Sequence, residues 1–263
     1  MIIFKYKTCL LLLIAFLGES GLTIASSVQY SEKVDSLLQL ADQRFKEMKE
    51  GEALDIYLKV LEMESQNYTA LWNASLLFAR EGYRKKDEEK KRELYKRAHY
   101  YGEKTILSYP DSGHAHYVFA VANGRLSDIA EKKERIRKSH IVKKHIEKAA
   151  ELAPDYAPVW HLYGVWHSSI ANISNAEKLG ANLISEGLPG GASNEKAEEY
   201  LKRAIEVDPY QILFRLDLAK HYKNSGQREK AAEQFRKVLE MEPQFQNDHQ
   251  HLEDAKALLK KVS

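Results

Sequence analysis

One spacing recurs along this chain: a small residue, a larger one four positions on, a small one three further, and a helix stop five beyond that. Its cleanest copy is Ala231, Phe235, Val238 and Pro243. The same steps give Ala197, Leu201, Ala204, Pro209, then Val142, Ile146, Ala149, Pro154, and again Ala98, Gly102, Thr105, Pro110. A first copy reads Ala53, Tyr57, Val60, with Ser65 where proline stands elsewhere. Steps of four and three place these side chains on one face of a helix. The small residues admit a neighbouring helix and the large one fills the gap between them. Proline cannot continue a helix, so it closes one unit and opens the next. A period of this kind predicts stacked helix pairs, none of which can bury its apolar face alone.

Each copy follows another helical stretch: Val34–Met48, Ala70–Arg80, Gly113–Leu126, Ala157–Ala171, and in the last unit one holding Leu218, Ala219 and Tyr222 before Gly226. The last unit, Tyr210–Pro243, has the length of a tetratricopeptide repeat and, with Gly226 at the turn, resembles one. Trp72, Trp160, Leu162, Tyr163 and Gly164 fall near the positions where that repeat uses Trp, Leu and Gly. The resemblance runs from Ser31 to about Pro243. It implies an all-α, right-handed α-solenoid of about five helix pairs, at roughly 31–65, 68–110, 112–154, 156–209 and 210–243. His249–Val262 is expected to be a closing helix that shields the last apolar face.

The units are irregular. Their terminators stand at Ser65, Pro110, Pro154, Pro209 and Pro243, and every earlier interval is longer than the last, so the middle repeats are elongated. The extra residues are Glu81–Arg92 and Ser127–Ser139, both charged and expected to lengthen helices, and Asn172–Asn194, whose Gly187-Leu188-Pro189-Gly190-Gly191 must turn. The stretch Trp160-His161-Leu162-Tyr163-Gly164-Val165-Trp166, the long insert ending in Pro189, and Ala197–Pro209 are similar to the regulator of microtubule dynamics family. Its members are divergent tetratricopeptide proteins elongated at this point. That likeness implies the same architecture over residues 157–243.

The N-terminal stretch 1–25 reads as a targeting segment. Lys5 and Lys7 precede the uncharged apolar run Thr8–Leu17, and Thr23-Ile24-Ala25 offers small residues for cleavage. The run is shorter than the roughly 20 residues of a bilayer span, so removal near Ala25 is favoured over anchoring. Export to a periplasm or outside the cell follows as the expectation, and for that reason the likeness does not bring microtubule binding with it. A structural subunit of an envelope assembly, or a cytosolic microtubule-regulator homologue, are the alternatives. Cys9 is the single cysteine, so the remaining chain has neither disulfides nor thiolate metal sites.

No catalytic pattern emerges. Gly187–Gly191 lacks the strand and Lys-Ser/Thr helix of a phosphate loop, and no serine sits in a nucleophile elbow. Carboxylates alternate with Lys and Arg at helix-surface spacing, as from Glu195-Lys196 through Lys202-Arg203. Ten histidines are present, yet His114-x-His116 and His249-x-His251 point apart on a helix; packing, hydrogen bonding and surface solvation account for them, with a site assembled between repeats from His116, His161 and His167 as the alternative. Three tripeptides, beginning at Asn67, Asn73 and Asn172, match the glycan acceptor pattern. Charge is uneven: 26–79 carries about −4, 80–148 about +8 and 149–194 about −3, although the whole is close to neutral. A basic middle is either a solvated helical face or a surface for an acidic partner, and acidic residues dilute it too much for nucleic acid.

The expected function is therefore a non-catalytic scaffold, without cofactor or metal, that holds a protein or extended peptide in a concave groove of first helices. Asn73, Leu77, Tyr117, Asn123, His161, Trp166, His167, Lys220 and Lys223 are its candidate lining, with core packing as the alternative for Leu77 and Trp166. The insert at Asn172–Asn194 would close one edge of that groove or present a surface of its own.

Overall fold

The structure, a computed structural model, describes residues 30–182 and 187–262. The candidate targeting segment, with Cys9, and insert residues Leu183 and Ile184 lie outside that range. Among the described residues the regular structure is all helix: α1 (30–46), α2 (Glu50–Met63), α3 (Tyr68–Arg84), α4 (Glu88–Ser108), α5 (Gly113–Asp128), α6 (Lys132–Leu152), α7 (Ala157–Ala171), α8 (Asn175–Asn182), α9 (Asn194–Val207), α10 (Ile212–Asn224), α11 (Arg228–Leu239) and α12 (Asp248–Leu259).

The pairs α1–α2, α3–α4, α5–α6, α7–α9 and α10–α11 stack as an α-solenoid, and α12 covers the last pair by packing on α10 and α11. Every residue of the recurring triplet, in all of its copies, is buried. Tyr57 joins Val34, Ala41, Ala74 and Phe78 in one core, and Phe235 joins Leu201, Leu216, Ala219 and Ala255 in another. Burying a side chain such as Phe235 contributes about 1.5–3 kcal/mol, so the spacing identifies the residues that hold the layers together.

Local signals start and stop these helices. Asn67, Asp87, Ser112 and Ser193 each accept hydrogen bonds from the first-turn amides of α3, α4, α5 and α9, satisfying donors that have no partner inside the helix. Gly226, at φ +82°, ends α10, and the Gln227 amide then donates back to the Tyr222 carbonyl at 2.8 Å. Gly164 is needed for another reason: a Cβ there would lie 2.6 Å from Leu201 Cγ and 2.9 Å from the Leu201 amide nitrogen. α7 and α9 meet at that point with no room for a side chain.

The elongation of the middle repeats is of two kinds. α4 and α6 each run to 21 residues, whereas α11 has 12, so the first two inserts extend helices as their charge pattern predicts. The third folds into α8 and a turned segment with positive φ at Gly187 and Gly191. Its described part rests on α6, with the carbonyls of Gly187 and Gly190 held by His140 Nε2 (3.1 Å) and Lys143 Nζ (3.0 Å). This part thus lies along α6, a second helix, and at Ala192 and Ser193 it also meets Trp166 and His167 of α7.

Candidate functional site

The expected groove is lined by α1, α3, α5, α7 and α10, but its two ends meet. After α11 the chain leaves helical geometry, and residues 244–247 reach back to the first two repeats. Phe245 lies 6.1 Å from the Phe45 ring, and the Arg80 guanidinium sits over both rings, at 5.4 and 5.7 Å. Gln246 Oε1 accepts the backbone N–H of Glu50 at 3.1 Å, and Asn247 Oδ1 accepts from Arg84 at 2.7 Å. Glu50 is only 2% exposed, and its carboxylate pairs with Arg80 at 2.5 Å and with Arg84. A carboxylate this deeply desolvated persists only because two guanidiniums face it. Asp248 holds the turn by accepting the amides of Gln244 and Phe245, both at 2.9 Å, and His251 packs near Tyr83 at 6.1 Å.

Seven of the nine candidate lining residues are buried. Leu77 belongs to the core around Tyr57, and Trp166 packs with Ala120 and Val142 while its Nε1 donates to the Ser139 carbonyl at 3.1 Å. Asn73 and Asn123 donate to the Thr69 and Phe119 carbonyls, both at 2.9 Å, and Asn123 also accepts from Lys138 at 3.3 Å. The burial of Asn73 closes its glycan acceptor pattern. Tyr117 meets Tyr156 edge-on at 5.3 Å, and burial pushes its phenol up to about 12. Lys220 and Lys223 alone keep partial exposure.

One polar group does form on the inner wall. His161 Nε2 donates to Asp217 Oδ2 at 2.9 Å while its ring stacks on Phe214 at 4.7 Å, and Lys220 pairs with Asp217 Oδ1 at 2.9 Å. Burial pushes the Asp217 carboxyl up, but the Lys220 ammonium and His161 outweigh it and hold it well below the usual carboxylate range. Both oxygens are thus engaged by a cation or an N–H, an arrangement that ties α7 to α10 and offers no base.

The candidate site of His116, His161 and His167 does not assemble. His116 faces His145, Nδ1 to Nδ1 at 2.9 Å, and its Nε2–H donates to the Pro110 carbonyl at 2.8 Å. Its Nδ1 is then bare and accepts the Nδ1–H of His145. Burial, foremost, with the adjacent His116 ring and the Lys144 charge, pushes the His145 ring down to about 4. His167 Nδ1 accepts the Ser193 amide at 3.3 Å among the rings of Tyr163, Trp166 and Tyr200, and burial pushes it down to about 4 as well. Among the described residues no three His, Cys, Asp or Glu side chains gather as a metal site, and no helix is long and apolar enough to cross a membrane.

Glu50, Arg80, Arg84, Phe245, Asn247 and Asp217 are absent from the sequence-derived candidates. No local signal marks them, since Glu50 and Gln246 are 196 positions apart.

The sequence profile described as regulator of microtubule dynamics protein 1-3 matches residues 37–263. Regulator of microtubule dynamics protein 1 of Mus musculus is 29% identical over 189 residues, covering 70% of this chain and 60% of its own length. The Pongo abelii protein of the same name is 31% identical over 189 residues, with 70% and 58% covered. Regulator of microtubule dynamics protein 3 of Xenopus laevis is 24% identical over 223 residues, with 83% and 48% covered. The chain thus spans about half to three-fifths of the length of these relatives. Among solved structures, a thermophilic tetratricopeptide protein of Thermus thermophilus superposes with a TM-score of 0.62 at 21% identity, covering 85% of this chain and 99% of that one, a likeness of fold alone. With a family profile that matches nearly all of its described length and the helix pairs that profile implies, the chain belongs to the regulator of microtubule dynamics family.

Proposed function

We propose that this chain is a non-catalytic scaffold that holds a protein or an extended peptide, and that its N-terminal stretch 1–25 carries it out of the cytoplasm. The observation that carries the binding reading is the segment 244–247 on the first two repeats. It is a non-helical stretch held by one aromatic anchor under a guanidinium and by side-chain hydrogen bonds at Gln246 and Asn247. A partner peptide with an aromatic residue before an amide side chain would be held by the same chemistry, on a largely preformed surface. Lys220, Lys223 and the half-buried Tyr156 give the remaining inner wall polar and aromatic contacts at its open positions. The saturated state of Asp217 supports the non-catalytic part of the reading.

A second reading is favoured by family membership: a regulator of microtubule dynamics, the role that the relatives' names give those proteins, acting in the cytosol. Location separates the two. Tagged at its C-terminus in its native cell, the full chain should appear outside the cytoplasm, shortened by about the length of the leader, with a captured protein partner. An intact cytosolic chain that sediments with microtubules would overturn export and support the second reading.

A further inference from the structure

We propose that the outer furrow between α4 and α6 binds an acidic polypeptide segment. This inference rests on the scaffold reading and gives it a partner class and a second surface, away from the self-occupied inner wall.

The two long helices flank the outer side of α5, and Phe119 forms the floor between them. The His99 ring of α4 lies 5.3 Å from Phe119, and the His145 ring of α6 lies 4.7 Å from it on the other side. All three rings are half-buried and so remain open to solvent. Around this floor the charge is one-sided. Arg92 and Lys96 precede His99 on α4, and both are exposed. From α6, Lys138 and Arg137 act on His99, Lys144 acts on His145, and Lys144 and Lys148 act on His116. The opposing groups are Glu103 beside His99, Asp111 beside His116, and Glu134, which already pairs with Arg137 and Lys138. Lys96 and Lys144 take no ion pair among the described residues. The elongation of these helices, seen in the sequence as excess charged residues, is what builds the furrow to this length.

Charge complementarity selects an acidic occupant, and the floor selects a polypeptide. A polyphosphate backbone carries charge at every step and would meet Glu103 and Glu134 as well as the lysines. A peptide can direct carboxylates to Lys96 and Lys144 and set an apolar side chain on Phe119 between the imidazoles. A furrow between two helices admits one such chain.

The test is fluorescence anisotropy of a labelled glutamate-rich peptide carrying one leucine, titrated with the full chain. Three proteins are compared: the native chain, the Lys96→Glu/Lys144→Glu variant, and Lys256→Glu/Lys260→Glu as a control of equal net charge at exposed positions in and just after α12. Circular dichroism checks that each is folded. The expected result is binding that weakens with added salt and falls at least roughly tenfold, or about 1.4 kcal/mol, in the furrow variant but not in the control. No binding by the native chain, or equal loss in both variants, would overturn it. So would a single-stranded oligonucleotide or anionic vesicle binding through Lys96 and Lys144 where the peptide does not. Capture of a cellular protein by a native chain that leaves the labelled peptide unbound would also overturn this site while leaving the scaffold reading standing.

Discussion

Arg84, in the last turn of α3, donates a hydrogen bond of 2.7 Å to the side-chain oxygen of Asn247, 163 positions further along the chain. Helical repeats ordinarily touch only their neighbours, so their stability sums from local terms and their ends fray independently. Here the last repeat's exit segment is fastened to the first two repeats, at Glu50 of α2 and at Arg80 and Arg84 of α3, which couples the two ends. Arg84→Ala should therefore lower overall stability and also raise amide exchange around α1–α2 and α12 together. Hydrogen exchange read by mass spectrometry checks this, and protection lost at one end only would count against the coupling.

Glu50 is the residue whose loss should be felt most, because it is buried between Arg80 and Arg84. Glu50→Ala leaves two guanidiniums facing each other without their counter-charge and should cost about 3 kcal/mol in chemical denaturation. Replacing Glu50, Arg80 and Arg84 together with apolar residues of similar volume should recover much of that loss, since the uncompensated charge is then gone.

At Gly164 the expected effect is steric. Gly164→Ala puts a methyl 2.6 Å from Leu201 Cγ and 3.1 Å from the Ala197 carbonyl. The Leu201 side chain can turn away, but the α9 backbone cannot, so the α7–α9 spacing must open, at about 1–3 kcal/mol. Gly51→Ala has nothing within 4 Å of the added carbon and serves as the comparison; its melting temperature should not fall.

Acid should weaken the fold in two stages. The rings of His145 and His167 are both pushed down to about 4, so the folded chain prefers them neutral. The unfolded chain takes up protons first as pH falls below the ordinary imidazole value. Stability that is complete above pH 6.5 is lost between there and about 4, by at most about 1.4 kcal/mol per pH unit for each ring. Asp217, whose carboxyl is depressed, adds its share below the ordinary value of 3.8. His167→Gln keeps an acceptor for the Ser193 amide and should flatten the upper stage of a denaturation-versus-pH curve.

Much of this architecture is legible in the sequence because its cause is local. Ala197, Leu201 and Ala204 are buried by the neighbouring helices of the stack, and the four-three spacing records that contact directly. The charged lengthening of α4 and α6 is legible for the same reason. The inner wall is not. Leu77 and Trp166 lie beside the packing set on their helices yet are packed in the core, and His167 sits among the rings of Tyr163, Trp166 and Tyr200, contacts between helices that no single spacing encodes. The return of Phe245 and Asn247 to the first two repeats is equally silent in sequence, since an aromatic and an amide in a linker look like ordinary turn residues until the two ends meet.

Closure of the solenoid is the claim on which the account turns, because it decides whether the inner wall is an open groove or one already occupied in cis. Spin labels placed at position 47, in the α1–α2 turn, and at position 249, early in α12, can be measured against each other by pulsed electron resonance in the full chain with Cys9→Ser. A single narrow, short distance that broadens and lengthens in Arg84→Ala is the predicted result. A long or broad distance in the otherwise native chain would contradict it and restore the open groove.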